Sequence, residues 1–225
     1  MLLSAASRAF SQLFARELRG VFWKALGLTI ALLIALVTLL QSIGNSFIDV
    51  SSPWLSTGIA FLTGFGLIIG AGFLLAPAMS VFAGLFLDEV AEAIEARDYP
   101  HDRPGVPMPF GKSLKLSLRF LLLVVGVNIL ALFLLLVPGI NLMVFFVANG
   151  YLLGREYFQF VAMRFYTERD AKALRSQYSG TIMLAGLLIA GVLAIPIVNL
   201  LTPLFATAFM VHLFKGLERK AHARS

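Results

Sequence analysis

The sequence contains no cysteine, which excludes disulfides and thiol chemistry. Charge is scarce. Only 13% of the 225 residues are Asp, Glu, Lys or Arg, 59% are apolar, and the mean hydropathy is +0.89. A water-soluble domain of this size needs a more charged surface, so a soluble globular fold is excluded and an all-α integral membrane protein is indicated. The three histidines, His101, His212 and His222, are far apart, and no HExxH spacing occurs. No GxxxxGK[ST] loop is present for ATP, and no nucleophile–base constellation can be identified. The chain is therefore read as no enzyme, with no metal and no cofactor. The net charge of +6 is read as the cytoplasmic excess of Lys and Arg, with no nucleic-acid partner.

A long apolar stretch, with no charge between Arg119 and Arg155, organises the chain. Two apolar arms meet there at Val137-Pro138-Gly139-Ile140-Asn141-Leu142. A Pro-Gly pair inside an apolar run breaks a helix and turns the chain, and an Asn side chain can bond its own backbone in such a turn. The pattern recurs at Ile195-Pro196-Ile197-Val198-Asn199-Leu200. Two helical hairpins follow, over 112–165 and 180–214. The arm 181–195 is 15 residues, about 22 Å of helix, which is shorter than a hydrocarbon core, so this hairpin is expected to dip in and return.

Upstream, residues 1–20 read as an amphipathic interfacial helix and carry no signal-peptide core. Leu2, Leu3, Ala6, Phe10, Leu13, Phe14 and Leu18 share one face, with Arg8, Arg16 and Arg19 outside it. A first helical pair spans 22–82: Phe22–Gln41, a polar loop holding Asp49 and ending at Trp54, then 55–82. The second of these helices carries Gly66 and Gly70 as a GxxxG pair, a face for close helix packing. An amphipathic extension over 82–99 sets Phe82, Phe86, Val90 and Ile94 against Asp88, Glu89, Glu92 and Glu95 and stops at Pro100. A Pro-rich loop follows, and a basic tail over 215–225 closes the chain. Lys and Arg fall in four blocks (1–24, 97–119, 155–175 and 215–224), while the connectors at 43–54, 138–141 and 196–199 hold none. The positive-inside rule places those blocks, and both termini, in the cytoplasm.

This order of segments resembles the CysZ family of bacterial inner-membrane sulfate permeases, part of a superfamily that includes etoposide-induced membrane proteins. The resemblance rests on Gly84-Leu85-Phe86-Leu87-Asp88-Glu89, on the two Pro-turns, on Gly154-Arg155-Glu156-Tyr157 and on Leu174-Arg175. It covers roughly residues 10–215. It implies two long transmembrane helices plus partly penetrating hairpins, homo-oligomers among membrane lipids, and passage of sulfate or a similar oxyanion toward cysteine synthesis. The family's sulfate site uses an Arg-Arg pair just before the first span. Arg19 matches the first of the pair, Gly20 stands at the second, and Lys24 is the nearest further cation.

These three residues are the anion-binding candidates, because a sulfate dianion needs cations and helix N-terminal N–H groups. Snorkelling of Arg19 and Lys24 to headgroups is the competing reading. Arg155 and Glu156 lie inside an apolar arm, where charge is costly. They stand as part of an anion path or as an ion pair with Asp88 or Glu89. Asn128 and Asn149 read as interhelical hydrogen-bonding groups, and His212 as an interfacial residue. A membrane-organising scaffold without transport remains the alternative function, since interfacial helices and shallow hairpins wedge one leaflet.

Overall fold

The computed structural model describes residues 1–47, 53–109, 111, 140–195 and 197–222. The leading arm of the first hairpin, with Asn128, Pro138 and Gly139, lies outside the described residues, as do Asp49 and Pro196. Every regular element among the described residues is helical. The chain divides into two compact units: one of residues 20–86, and one of residues 1–19 together with 87–225.

The unit over 20–86 is built from α2 (Arg16–Phe47) and α3 (Pro53–Leu85). Residues 16–43 of α2 are long and apolar enough to cross a membrane. Most of this surface is open: Leu28, Ile30, Leu32 and Ile34 on α2 and Phe61, Leu62, Phe65 and Ile68 on α3 are all exposed. Such a surface is stable only against lipid or other apolar surface. A narrow stripe on α2 is buried instead, with Val21, Ala25, Thr29 and Leu33 recurring every four residues. The Thr29 hydroxyl donates to the Ala25 carbonyl at 2.8 Å and sits 3.7 Å from the Met79 sulfur of α3. Among the described residues no other element lies within 4 Å of where a Cβ would sit at Gly66 or Gly70, the GxxxG pair of α3.

The other unit contains α1 (Leu2–Gln12), α4 (Leu87–Asp98), α5 (Ile140–Ala162), α6 (Glu168–Gln177), α7 (Ser179–Leu193) and α8 (Thr202–His222). Its centre is α8. Leu204 through Phe214 are all buried, on every side of the helix, by α1, α4, α5 and α7. Residues 198–221 also pass as a membrane span by length and composition. The helix runs on through Lys215 to His222, so most of the basic stretch expected as a tail is the last two turns of α8.

α1 packs on α8 with its small residues, Ala5 and Ala9, and leaves Leu3, Phe10 and Phe14 exposed. It stops at Gln12. A turn over 13–15 precedes α2, so Leu13 and Leu18 are buried and do not join the exposed face. α4 carries Asp88 and Glu89 in its first turn and Arg97 in its last, each at the end its charge favours. α6 is capped by Thr167, whose hydroxyl oxygen accepts the Asp170 amide. The chain then bends by 89° into the 15-residue α7.

α5 and α7 cross in backbone contact. A Cβ at Gly186 would lie 1.8 Å from the Gly150 carbonyl oxygen and 2.7 Å from the Gly154 amide nitrogen. Three glycines on two helices thus make the close approach that sequence spacing assigned to α3. The turn after α7 puts Ile197 at φ 71°, a left-handed conformation that a β-branched residue rarely takes. The turn is closed by backbone: the Asn199 amide donates to the Ile195 carbonyl at 2.9 Å. The buried Asn199 side-chain oxygen has no hydrogen-bond partner among the described residues, contrary to the role expected for it.

Replacement of Gly186 by Ala must separate α5 from α7. A loss of about 3 kcal/mol is expected, read as a lowered unfolding midpoint in detergent, whereas Gly66→Ala should leave the midpoint unchanged.

Candidate functional site: a buried ionic network around α8

Charged and polar groups on α4 and α8, and in the segments after α4 and α5, are buried together in the unit formed by 1–19 and 87–225. Arg164 stands two residues past α5, and its side chain is wholly buried. Its Nε donates to Glu95 Oε1 at 3.0 Å and its Nη2 to Glu95 Oε2 at 3.2 Å, a bidentate pair, while its Nη1 binds Asp88. Glu95 is itself 6% exposed. The same groups hold the Pro-rich loop. The Gly105 amide donates to Glu95 Oε2 at 2.9 Å, and the Val106 amide to the Arg164 carbonyl at 2.8 Å. Gly105 is required here, because a Cβ would lie 2.8 Å from Arg164 Nε.

One turn further along α4, a chain of hydrogen bonds joins α1 to α8. Tyr99 Oη lies 2.9 Å from His212 Nδ1, and His212 Nε2 lies 2.9 Å from Gln12 Oε1. The Gln12 Nε2 donates to Asp98 Oδ2. That last bond fixes the amide so that its oxygen faces His212. A carboxamide oxygen can only accept, so Nε2 carries the imidazole proton and Nδ1 accepts from the Tyr99 hydroxyl. His212, expected at an interface, is thus a buried connector satisfied at both nitrogens.

Lys215 follows on α8 and is 2% exposed. Its ammonium reaches the Arg103 carbonyl at 3.5 Å, Asp102 at 3.5 Å and Glu218 at 3.9 Å, and stands 4.2 Å from the Phe165 ring centroid. These contacts are long for hydrogen bonds, and the aromatic face supplies part of the compensation for burying the charge. The Tyr166 hydroxyl donates to Glu218 Oε1 at 2.9 Å; burial first, and then that carboxylate, pushes its pKa up to about 12. It therefore remains a donor at any physiological pH. Asp102, Arg103, Phe165, Tyr166, Lys215, Glu218 and Arg219 line an open pocket of about 510 Å³. Three of these seven are cations and two are anions, so the pocket carries a residual positive charge.

The anion candidates Arg19, Gly20 and Lys24 all fall in the first turns of α2 and are exposed. The Arg19 amide is taken by the Ala15 carbonyl at 3.0 Å, and five helical residues separate the Arg19 and Lys24 side chains by about 140°. The Lys24 ammonium lies 5.7 Å from the Phe86 ring. Asp88 joins Arg164 and not Arg155. Glu89 is exposed in the first turn of α4, Arg155 and Glu156 are half-buried on α5, and Asn141 is in the first turn of α5.

Sequence reasoning missed Arg164, Glu95, Tyr99 and Gln12 as a site. One signal was available: Glu95 adjoins Ile94 on the apolar side of α4, five residues past Val90 and four past Ala91, and these are buried positions of a helix that packs on α8.

A helical fold with exposed apolar surface and helices long enough to cross a bilayer defines an all-α membrane protein. The family described as Sulfate transporter CysZ/Etoposide-induced protein 2.4 matches residues 5–203, and the chain belongs to it. No curated protein gives a significant match to the chain.

Replacing Arg164 by Met strands Asp88 and Glu95 without their cation. A stability loss of about 3–5 kcal/mol is expected, measured as unfolding midpoint. A smaller loss is expected when Glu95→Gln is added to Arg164→Met, because one stranded charge is removed with its partner.

Proposed function

We propose that the protein is a permease for sulfate or a chemically similar oxyanion in the bacterial inner membrane, feeding cysteine synthesis. The observation that carries this reading is the family match over residues 5–203. The physical support is the concentration of cations within protein that is otherwise apolar. A dianion entering a low-dielectric path loses its hydration and needs positive charge and hydrogen-bond donors in return. Arg103, Lys215 and Arg219 offer such groups around one pocket. Arg19 and Lys24, at the start of the first span, offer a second cationic position, with Gly20 leaving the helix surface bare between them. Since the Arg19 amide is already bonded within the chain, the side chains carry that contact.

The protein works as a homo-oligomer among membrane lipids, with both termini cytoplasmic. The exposed Leu3, Phe10 and Phe14 of the first helices then lie in the headgroup boundary, where an interfacial helix is stable. Arg155, Glu156, Asp88 and Glu89 belong to the anion path or to the ion pairs that hold it.

Proteoliposomes carrying the purified protein should take up labelled sulfate faster than empty vesicles, with sulfite and phosphate tested as competitors. Uptake equal to that of empty vesicles, at verified protein density, overturns the reading in favour of a membrane-organising role. Removing both cations in Arg19→Ala/Lys24→Ala should weaken saturable sulfate uptake by roughly 100-fold or more, since each charge-assisted partner contributes about 1.5–3 kcal/mol. Unchanged affinity in a correctly inserted double variant would place the anion contact elsewhere.

A further inference from the structure

The junction of α5 and α6 holds a set of donors that the ionic network around α8 does not use. Gln159, in the last turn of α5, is 4% exposed. Its Oε1 accepts from Arg175 Nη1 of α6 at 3.2 Å. A guanidinium only donates, so this bond settles which way the amide faces. The Nε2 group therefore points away from Arg175 with two N–H donors. It is buried and has no hydrogen-bond partner among the described residues. A buried, unfilled donor costs about 1–3 kcal/mol and asks for an explanation.

The surroundings point to one chemistry. Arg155 lies four residues before Gln159 on α5, on the same helical face. Arg175, on the charged helix α6 outside the apolar spans, has its pKa lowered, first by burial and then by the neighbouring Arg155 charge. Two guanidinium groups are thus close enough to repel each other. Tyr178, three residues past Arg175, carries another buried hydroxyl with no hydrogen-bond partner among the described residues. Two further groups act on Arg175 in the opposite sense, Tyr151 and the Glu156 carboxylate. With Arg155 and Arg175 positive and Glu156 negative, the cluster keeps one excess positive charge and a carboxamide donor.

We propose that Arg155, Gln159 and Arg175 bind a tetrahedral oxyanion, a sulfate or phosphate group. The Gln159 amide and the two guanidinium groups donate to its oxygens, and its charge relieves the repulsion between the two arginines. The group comes either from a free anion or from a lipid headgroup, since the donors recognise the same oxygens in both. The site is separate from Arg19 and Lys24 and does not depend on transport.

Gln159→Glu discriminates binding from structure. A carboxylate at 159 keeps the bond from Arg175 as an ion pair, so the fold is preserved, but it replaces the amide donors with a negative charge. Full-length protein in a phosphate-free maltoside detergent is titrated with sodium sulfate, with sodium phosphate and with dispersed phosphatidic acid, each against sodium chloride at equal ionic strength. Calorimetry and unfolding midpoints are read. Saturable binding of at least one probe is expected in the wild type. It should be at least about tenfold weaker in Gln159→Glu and in Arg155→Gln, while the ligand-free midpoint of Gln159→Glu is equal to or above wild type. Binding should persist in Arg19→Ala/Lys24→Ala, which separates this site from that one. A response to phosphatidic acid alone identifies the lipid headgroup as the source, and a response to the free anions identifies the solute. Absence of binding by all three probes overturns the proposal, as does wild-type affinity in Gln159→Glu.

Discussion

Burying cations inside a helical core is the constraint on which the larger unit depends. α8 is enclosed on all sides, yet it carries His212 and Lys215 within the buried stretch. An isolated charge or unfilled polar group in such surroundings is untenable, so the elements packed on α8 near those residues bring partners. Asp102 and Arg103 of the loop after α4 supply oxygens to Lys215, while His212 donates to Gln12 of α1 and accepts from Tyr99 just past α4. The Arg164–Glu95 pair extends the same logic to α5 and ties the loop down by its backbone amides. Polar groups therefore decide how these helices are held in register, and the apolar residues between them supply contact area.

The smaller unit obeys the opposite rule. α2 and α3 bury only a narrow stripe and turn large apolar side chains outward. In lipid this carries no hydrophobic cost, and helix contacts there rest on packing and on occasional polar contacts such as that of Thr29 with Met79. One chain thus combines a lipid-solvated helical pair with a core that behaves as the interior of a globular protein.

The sequence displayed the parts governed by hydropathy and by local chemistry. The membrane class, the α2 span, the stop before Pro100 and the family followed from composition, periodicity and motif order, whereas Glu95, read as part of the acidic face of α4, is buried against Arg164. The parts set by long-range pairing did not. Gly66 and Gly70 show GxxxG spacing, and so do Gly150 and Gly154, but spacing could not show that the second pair meets Gly186 of α7. Lys215 looked like the start of a basic tail because periodicity cannot show that Asp102 and Phe165 will enclose it. Arg164 and Glu95 are 69 residues apart, and neither has a local partner to announce the pair. In the same way, the bond from Arg175 to Gln159 crosses between two helices and leaves an orphan amide that only coordinates reveal.

Hydrogen exchange in the Pro-rich loop tests the buried network most directly. Loops at a membrane surface ordinarily exchange their amides at unprotected rates. If Glu95 and Arg164 hold this loop to the core, the Gly105 and Val106 amides, bonded at 2.9 and 2.8 Å, should exchange many-fold more slowly than that of the neighbouring Arg103. Uniformly fast exchange from 101 to 108 would contradict the account.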